Sequence, residues 1–536
     1  MATPRTTLPQ SRAVRRQKRT ARIALAVAGS LLAAACGGAD ILVTSERADQ
    51  IQSTGFPSSG DLGDPNDIDD AEPDRNTPLE PIDPADPMGE PDVVEIDPAA
   101  IDRDAINFGD NKPARDYDDF LLASLGDIDT WLRTEYEASF GEPYEPLEGQ
   151  VFAGYPERSE PIPGCGEPVT RYNELQQFVA FYCPIGDFIV YDDGESGLLA
   201  QLAAEFGPAT IGIVLAHEYG HAIQFRTGAL QLNLPTVATE QQADCIAGAW
   251  AGRAAAGDAP GVPFSDEDIR AGLIAMIQVQ DPVGIDPNQP GGHGSGFDRV
   301  GAFQVGFQEG LSRCALLIDD PLPLTPLQFL STDDVRNEGN APFGFEEDDL
   351  FGFLVPDLNL LYDNDWQNRF PDFTPLTLVS VQSASEIECD SPFGLFELGA
   401  ELCSESNTVY LNEPTAMQLY ADFGDFAPGY LLGVVWAEHA QITNGSQLSG
   451  ENRQLLNDCL VGAWVQTVTP DPTTGLLPEP RDPDRSASVS PNDLTEAIQT
   501  AIVIGDPTQS NNVLGSAFEK IDAFRRGALG GVDACV

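Results

Sequence analysis

Residues 211–227, IGIVLAHEYGHAIQFRT, set His217 and His221 four residues apart on an apolar run, with Glu218 between them. On a helix that spacing places both imidazoles on one face about one turn apart, within reach of a single Zn²⁺ ion. Glu218 then falls beside the ion rather than on it, where it can take a proton from a zinc-bound water. The chain has only four histidines in 536 residues, so an HExxH pairing is rare by chance. The competing reading is a buried helix with two hydrogen-bonded histidines, and that rarity counts against it.

Further along, TEQQADCIAGAW sets Glu240 and Asp244 four residues apart. On a second helix, one carboxylate would ligate the metal and the other would accept the free ring N–H of a ligating histidine. This is the gluzincin arrangement, with His217, His221 and Glu240 as ligands and Asp244 behind them; Asp244 stands as the alternative third ligand. A metzincin would need Gly three residues after the second His and another His three residues later, where Gln224 and Thr227 stand.

Residues 1–22 carry seven Lys/Arg and no acid, and an apolar run from Ile23 to Ala35 ends at Cys36. A basic segment, an apolar run too short to span a bilayer and a small-residue site make 1–36 an export signal. Cys36 after three alanines resembles a bacterial lipobox, which predicts lipidation of Cys36. The protein is then exported and lipid-anchored on the outer face of the cell membrane, or secreted. Without the leader, 21 basic residues face 85 acidic ones, a net charge of −64. So acidic a chain disfavours nucleic acid as a partner. Residues 37–115 hold 20 acids, five basic residues and ten prolines, which predicts a disordered tether.

The remainder contains an internal repeat. GFDRVGAFQVGFQEGLSRC (296–314) aligns without a gap on AFEKIDAFRRGALGGVDAC (517–535), and ADCIAGAW (243–250) on NDCLVGAW (457–464). Asp127, Phe140 and Pro146 have counterparts in Asp357, Phe370 and Pro375. A tandem duplication is therefore expected: a catalytic domain at 116–320, a linker at 321–344 and a second copy at 345–536. In the second copy Glu438 and Ile442 replace the two histidines, His439 replaces Glu218, and Gln454 replaces Glu240. Every ligand is lost, so the second copy is expected to be non-catalytic, packing on the first or binding a protein partner.

Runs of helical period at 118–136, 197–206, 208–226, 236–255, 265–280 and 297–311, with β-rich runs at 178–182 and 188–191, predict an α+β fold. The four motifs AHEYGHAIQ (216–224), EQQADCIAGAW (240–250), FYCP (181–184) and HGSGFDRVGAF (293–303) resemble the bacterial neutral zinc metallopeptidase family over about 127–314. The resemblance implies a zincin-like domain built on an active-site helix, one Zn²⁺ per chain on His217, His221 and Glu240, Glu218 as general base, and a peptide or protein substrate. His293 in GGHGSG is a candidate donor to the oxyanion formed at the scissile carbonyl. Arg299 matches Lys520 of the second copy, which favours a structural ion pair. The alternative function is a non-enzymatic extracellular scaffold with structural zinc.

Eight cysteines follow Cys36, four in each copy, and an exported chain with an even count predicts disulfides. The pairing that respects the repeat is Cys165–Cys183, Cys245–Cys314, Cys389–Cys403 and Cys459–Cys535. Peptide mapping without reductant should recover these four links; any link between the two halves would overturn the pairing.

Overall fold

The computed structural model describes residues 101–175, 179–232, 234–284, 292–325, 329, 335–389, 394–471, 474–505 and 516–536. The export signal, Cys36 and the tether as far as residue 100 lie outside them. The described chain is α+β. Residues 101–115, expected to belong to the tether, are folded. Within them β1 (Ile106–Asn107) pairs in parallel with β2 (Val151–Gly154). Lys112 lies 2.9 Å from the carboxylates of both Asp118 and the buried Asp193. A buried Asp needs a counter-charge, and this stretch supplies it.

Helix α1 (Asp118–Phe140) buries Leu121, Leu122, Leu125, Ile128 and Leu132, and ends at Gly141, whose φ of 78° lets its N–H return to the Glu137 carbonyl. A short ladder, β3 (Ile162–Pro163) with β4 (Val169–Thr170), and the short helix α2 (Tyr172–Leu175) precede β5 (Ala180–Cys183) and β6 (Phe188–Asp192). The sheet runs β1-β2-β6-β5, with β5 antiparallel and β2 parallel to β6. The two β-rich runs pair as a hairpin, in which β6 is internal to the sheet. Its other neighbour, β2, is buried at all four positions and carries no alternation that marks a strand in sequence.

Five helices carry the chain onward: α3 (Leu198–Phe206), α4 (Ala209–Thr227), α5 (Thr236–Ala255), α6 (Asp266–Gln278) and α7 (Gly296–Glu309), followed by a single turn, α8 (Leu311–Cys314). Helix α5 lies between α4 and α7. A Cβ on Gly220 of α4 would come within 2.7 Å of the Ala243 Cα, and one on Gly248 of α5 would strike the Phe303 carbonyl of α7. Glycine at both positions permits these close crossings.

The second half repeats this order: α9 (Leu350–Leu360), β7 (Thr377–Val381), β8 (Ala400–Cys403), β9 (Thr408–Asn412), then α10 (Glu413–Phe423), α11 (Phe426–Thr443), α12 (Glu451–Val468), α13 (Asp493–Ile504) and α14 (Ala517–Gly530). Its sheet is β7-β9-β8, parallel and then antiparallel, as in β2-β6-β5. Gly462 meets the Phe524 carbonyl as Gly248 meets that of Phe303. Asp357 accepts from the Trp464 indole at 3.0 Å, and Asp127 does so from Trp250 at the same distance.

The cysteines pair as the repeat suggests, each within its own half, with Cα separations of 5.5–5.7 Å. One cluster of buried apolar side chains nevertheless runs through both halves, from Ile106 to Phe524. No described helix is long and apolar enough to cross a membrane.

Burial raises the carboxyl of Asp425, at the start of α11, from 3.8 to about 6 against the pull of backbone N–H groups such as that of Ala341. The folded chain therefore binds a proton there that the unfolded chain has lost, so stability falls as pH rises from about 4 through about 6. In urea unfolding at the two ends of that window, wild type relative to Asp425→Asn should lose on the order of 2 kcal/mol at the higher pH. A difference independent of pH would mean the carboxyl is ionised throughout.

Candidate metal centre

Helix α4 is buried at every position from Ala209 to Gln224, so its polar residues cannot turn to bulk water. His217, Glu218 and His221 are 7, 4 and 3 % exposed. The Gly220 crossing brings α5 against this stretch, and Glu240 of α5, 1 % exposed, reaches both imidazoles. Its Oε2 lies 3.3 Å from His217 Nε2 and its Oε1 3.5 Å from His221 Nε2, while the two Nε2 atoms are 3.1 Å apart.

The far side of each ring decides what these atoms are. His217 Nδ1–H donates to Asp244 Oδ1 at 2.7 Å, and His221 Nδ1–H donates to Gln224 Oε1 at 2.9 Å. Gln224 is itself oriented by donating to the Thr239 carbonyl. With both Nδ1 atoms donating, each ring in its neutral form turns an Nε2 lone pair towards the other ring and towards a carboxylate. Both Glu240 oxygens, and Oε2 of Glu218, are buried without a hydrogen-bond partner. Lone pairs and negative charge facing one another at these distances repel unless a cation lies among them. Burial opposes charge on His217, yet Asp244 and Glu240 hold its pKa up at about 10, a sign of how strongly the site attracts positive charge. Two imidazole nitrogens and one carboxylate are a donor set that fits a zinc-type ion, and His217, His221 and Glu240 are the residues that could hold one.

Asp244 bonds the Nδ1 side of the His217 ring, away from the Nε2 that Glu240 faces. It is fully buried between His217 and Arg299, accepting from Arg299 Nη2 at 2.7 Å and Nε at 3.0 Å. Burial raises its pKa, but Arg299 and then His217 outweigh that and hold it low. Arg299 is therefore engaged inside the protein. His293 lies at the turn into α7, where Gly294 takes a φ of +100°. Its N–H donates to Asp281 Oδ2 at 2.7 Å and its Nδ1 lies 3.2 Å from Oδ1. Burial disfavours the charged ring, but Asp281 and the nearby Glu240 carboxylate raise its pKa. The structure thus joins the two histidines, Glu240 and Asp244 directly and brings His293 within electrostatic reach of Glu240.

Sequence reading missed Gln224 and Asp281. Gln224 was legible in principle, since it follows His221 by three residues on a helix; Asp281 is a loop residue with no signal of its own. In the second half the corresponding places are closed by direct contacts. Glu438 accepts from Arg453 and from Asn457 Nδ2, the latter at 2.8 Å, and Lys520 donates to Asp458 at 2.8 and 2.9 Å. His439 is fully buried between Ser404 and Thr374.

No family model and no solved structure matches the chain. Uncharacterized proteins of Mycobacterium bovis and Mycobacterium tuberculosis are 35% identical to it over 151 residues, covering 24% of this chain and 52% of theirs. The chain spans about half the length of these curated relatives.

If Gln224 holds the His221 ring for a metal, Gln224→Leu should bind added Zn²⁺ roughly 10- to 100-fold more weakly in competition with a chelator. Unchanged affinity would remove Gln224 from the site.

Proposed function

We propose that this protein is an exported zinc metallopeptidase. The observation that carries the reading is the convergence of two imidazole nitrogens with the buried Glu240 carboxylate, beside a second buried carboxylate, Glu218, which follows His217 on its helix. When bound, zinc supplies Lewis acidity, polarising a carbonyl and acidifying water. Among the described residues three donors, His217, His221 and Glu240, are grouped here and would hold the ion, a donor set that favours catalysis over a structural site with four protein ligands. Glu218 takes the proton of the attacking water and returns it to the leaving amine. Asp244 keeps the His217 ring in the tautomer with Nε2 free, and Gln224 does the same for His221. His293, steadied by Asp281, donates to the oxygen that gains charge at the scissile carbonyl.

The zincin-like reading and the resemblance to bacterial neutral zinc metallopeptidases rest on the motifs at 181–184, 216–224, 240–250 and 293–303. The recurrence of sheet, helices and disulfides in the second half supports a tandem duplication, whose second copy has exchanged ligands for hydrogen-bonded side chains. Four disulfides fit an oxidising compartment outside the cytoplasm. Lipidation at Cys36 would then hold the enzyme at the outer face of the membrane on its acidic tether, with peptides or proteins as substrate.

Glu218→Gln should keep one zinc per chain by mass spectrometry while chelator-sensitive cleavage of a denatured protein mixture falls by about 10²- to 10⁴-fold. A zinc-loaded wild type with no cleavage that depends on Glu218 would sink the peptidase reading and leave the scaffold.

A further inference from the structure

The second half touches the first through the helix that supports the metal centre. Phe297 and Gly301 of α7 lie four residues apart on one face, and Arg299 between them points to the other. On the Phe297 face sits Arg525 of α14, only 9 % exposed. Its guanidinium carbon is 4.1 Å from the Phe297 ring centroid, one of its N–H groups donates to the Phe297 carbonyl, and its head fills the space beside Gly301. On the opposite face Arg299 grips Asp244, which orients His217. Helix α7 is thus clamped between a residue of the second half and the support of a proposed zinc ligand.

A second contact reaches the His293 turn. Thr495 of α13 donates to Gln280 Oε1 at 3.3 Å, and the same oxygen accepts from the Gly296 N–H at 2.7 Å, at the start of α7. Gln280 precedes Asp281, the partner of His293. The second half therefore buttresses both the metal support and the candidate oxyanion donor.

The contact is also reciprocal. In the ungapped alignment, Gln304 corresponds to Arg525 and Phe297 to Phe518. Arg525 donates to the Phe297 carbonyl, and Gln304 Nε2 donates to the Phe518 carbonyl at 2.9 Å. The Phe307 and Phe518 rings lie tilted with centroids 4.6 Å apart, and Phe297 meets Phe524 edge-on at 6.2 Å. The same face of each half meets its counterpart, as subunits do across a two-fold axis. Each half uses this face for the other, so α13 and α14 stand where a partner subunit would.

We infer that the second half is a built-in positioning partner: Arg525 and Thr495 hold α7 so that Arg299, Asp244 and His293 stay in place around the metal. This rests on the metal-site reading above. Arg525 touches neither ligand nor substrate, and it acts through α7.

The test compares the full-length wild type with Arg525→Met, which keeps bulk but removes the donor, and with Gly301→Ala. The added methyl first meets the flexible head of Arg525 and should displace it, while alanine has the higher helix propensity, so the fold is retained. Zn²⁺ affinity is read by competition with a chromogenic chelator under conditions where circular dichroism shows all chains equally folded. Both variants should hold Zn²⁺ about 10-fold more weakly, and Arg525→Lys should restore part of the loss through its remaining donor. Variants that bind as tightly as a zinc-binding wild type overturn this inference alone. A wild type that takes up no Zn²⁺ overturns the metal-site reading and this inference with it.

Discussion

Between α4 and α7, helix α5 runs so close to both neighbours that a side chain larger than hydrogen has no room at Gly220 or Gly248. Helix pairs ordinarily keep 8–10 Å between axes because their side chains hold them apart. Glycine removes that spacer, at a cost of roughly 1 kcal/mol each in helix propensity that close packing must offset. The first crossing brings Glu240 to the two histidines, and the second lets Arg299 reach Asp244. Cys245, beside Asp244, is tied to Cys314 across 69 residues, a loop whose closure restricts the unfolded chain by about 4 kcal/mol.

What these crossings assemble is electrostatically one-sided. Asp244 has Arg299 and His217 to balance it, whereas Glu240 and one oxygen of Glu218 are buried without hydrogen bonds. Such groups persist inside a protein when something outside the chain completes them. The second half shows the alternative: with the same close crossing at Gly462, Glu438 is saturated by Arg453 and Asn457. One arrangement is left open to a cation and the other is sealed by its own side chains.

The sealed half still bears on the open one. Its α14 meets α7 with a reciprocal set of carbonyl contacts, and the apolar core is continuous across the junction. The second half thus lacks the histidine–carboxylate cluster yet presents a surface that meets the first. Arg525 and Gln304 occupy corresponding positions and make corresponding bonds, although one is charged and the other neutral.

Local pattern was enough for much of this. The HExxH spacing on an apolar run places two imidazoles on one face of a helix whatever surrounds it, and Glu240 with Asp244 obeys the same i,i+4 rule. The cysteine pairs followed from the repeat. Strand β2 was illegible because a strand buried on both faces has no alternation, and the folding of 101–115 was hidden in an acidic, proline-rich composition until Asp193 required the charge of Lys112. The sequence alone determined which side chains can share a helix face, because helical periodicity is a property of the backbone. Only the tertiary structure decided that Asp244 bonds one side of the His217 ring and Glu240 faces the other, that Gln224 holds His221, and that Arg525 of the far half grips α7, because those choices depend on how closely helices distant in sequence approach one another.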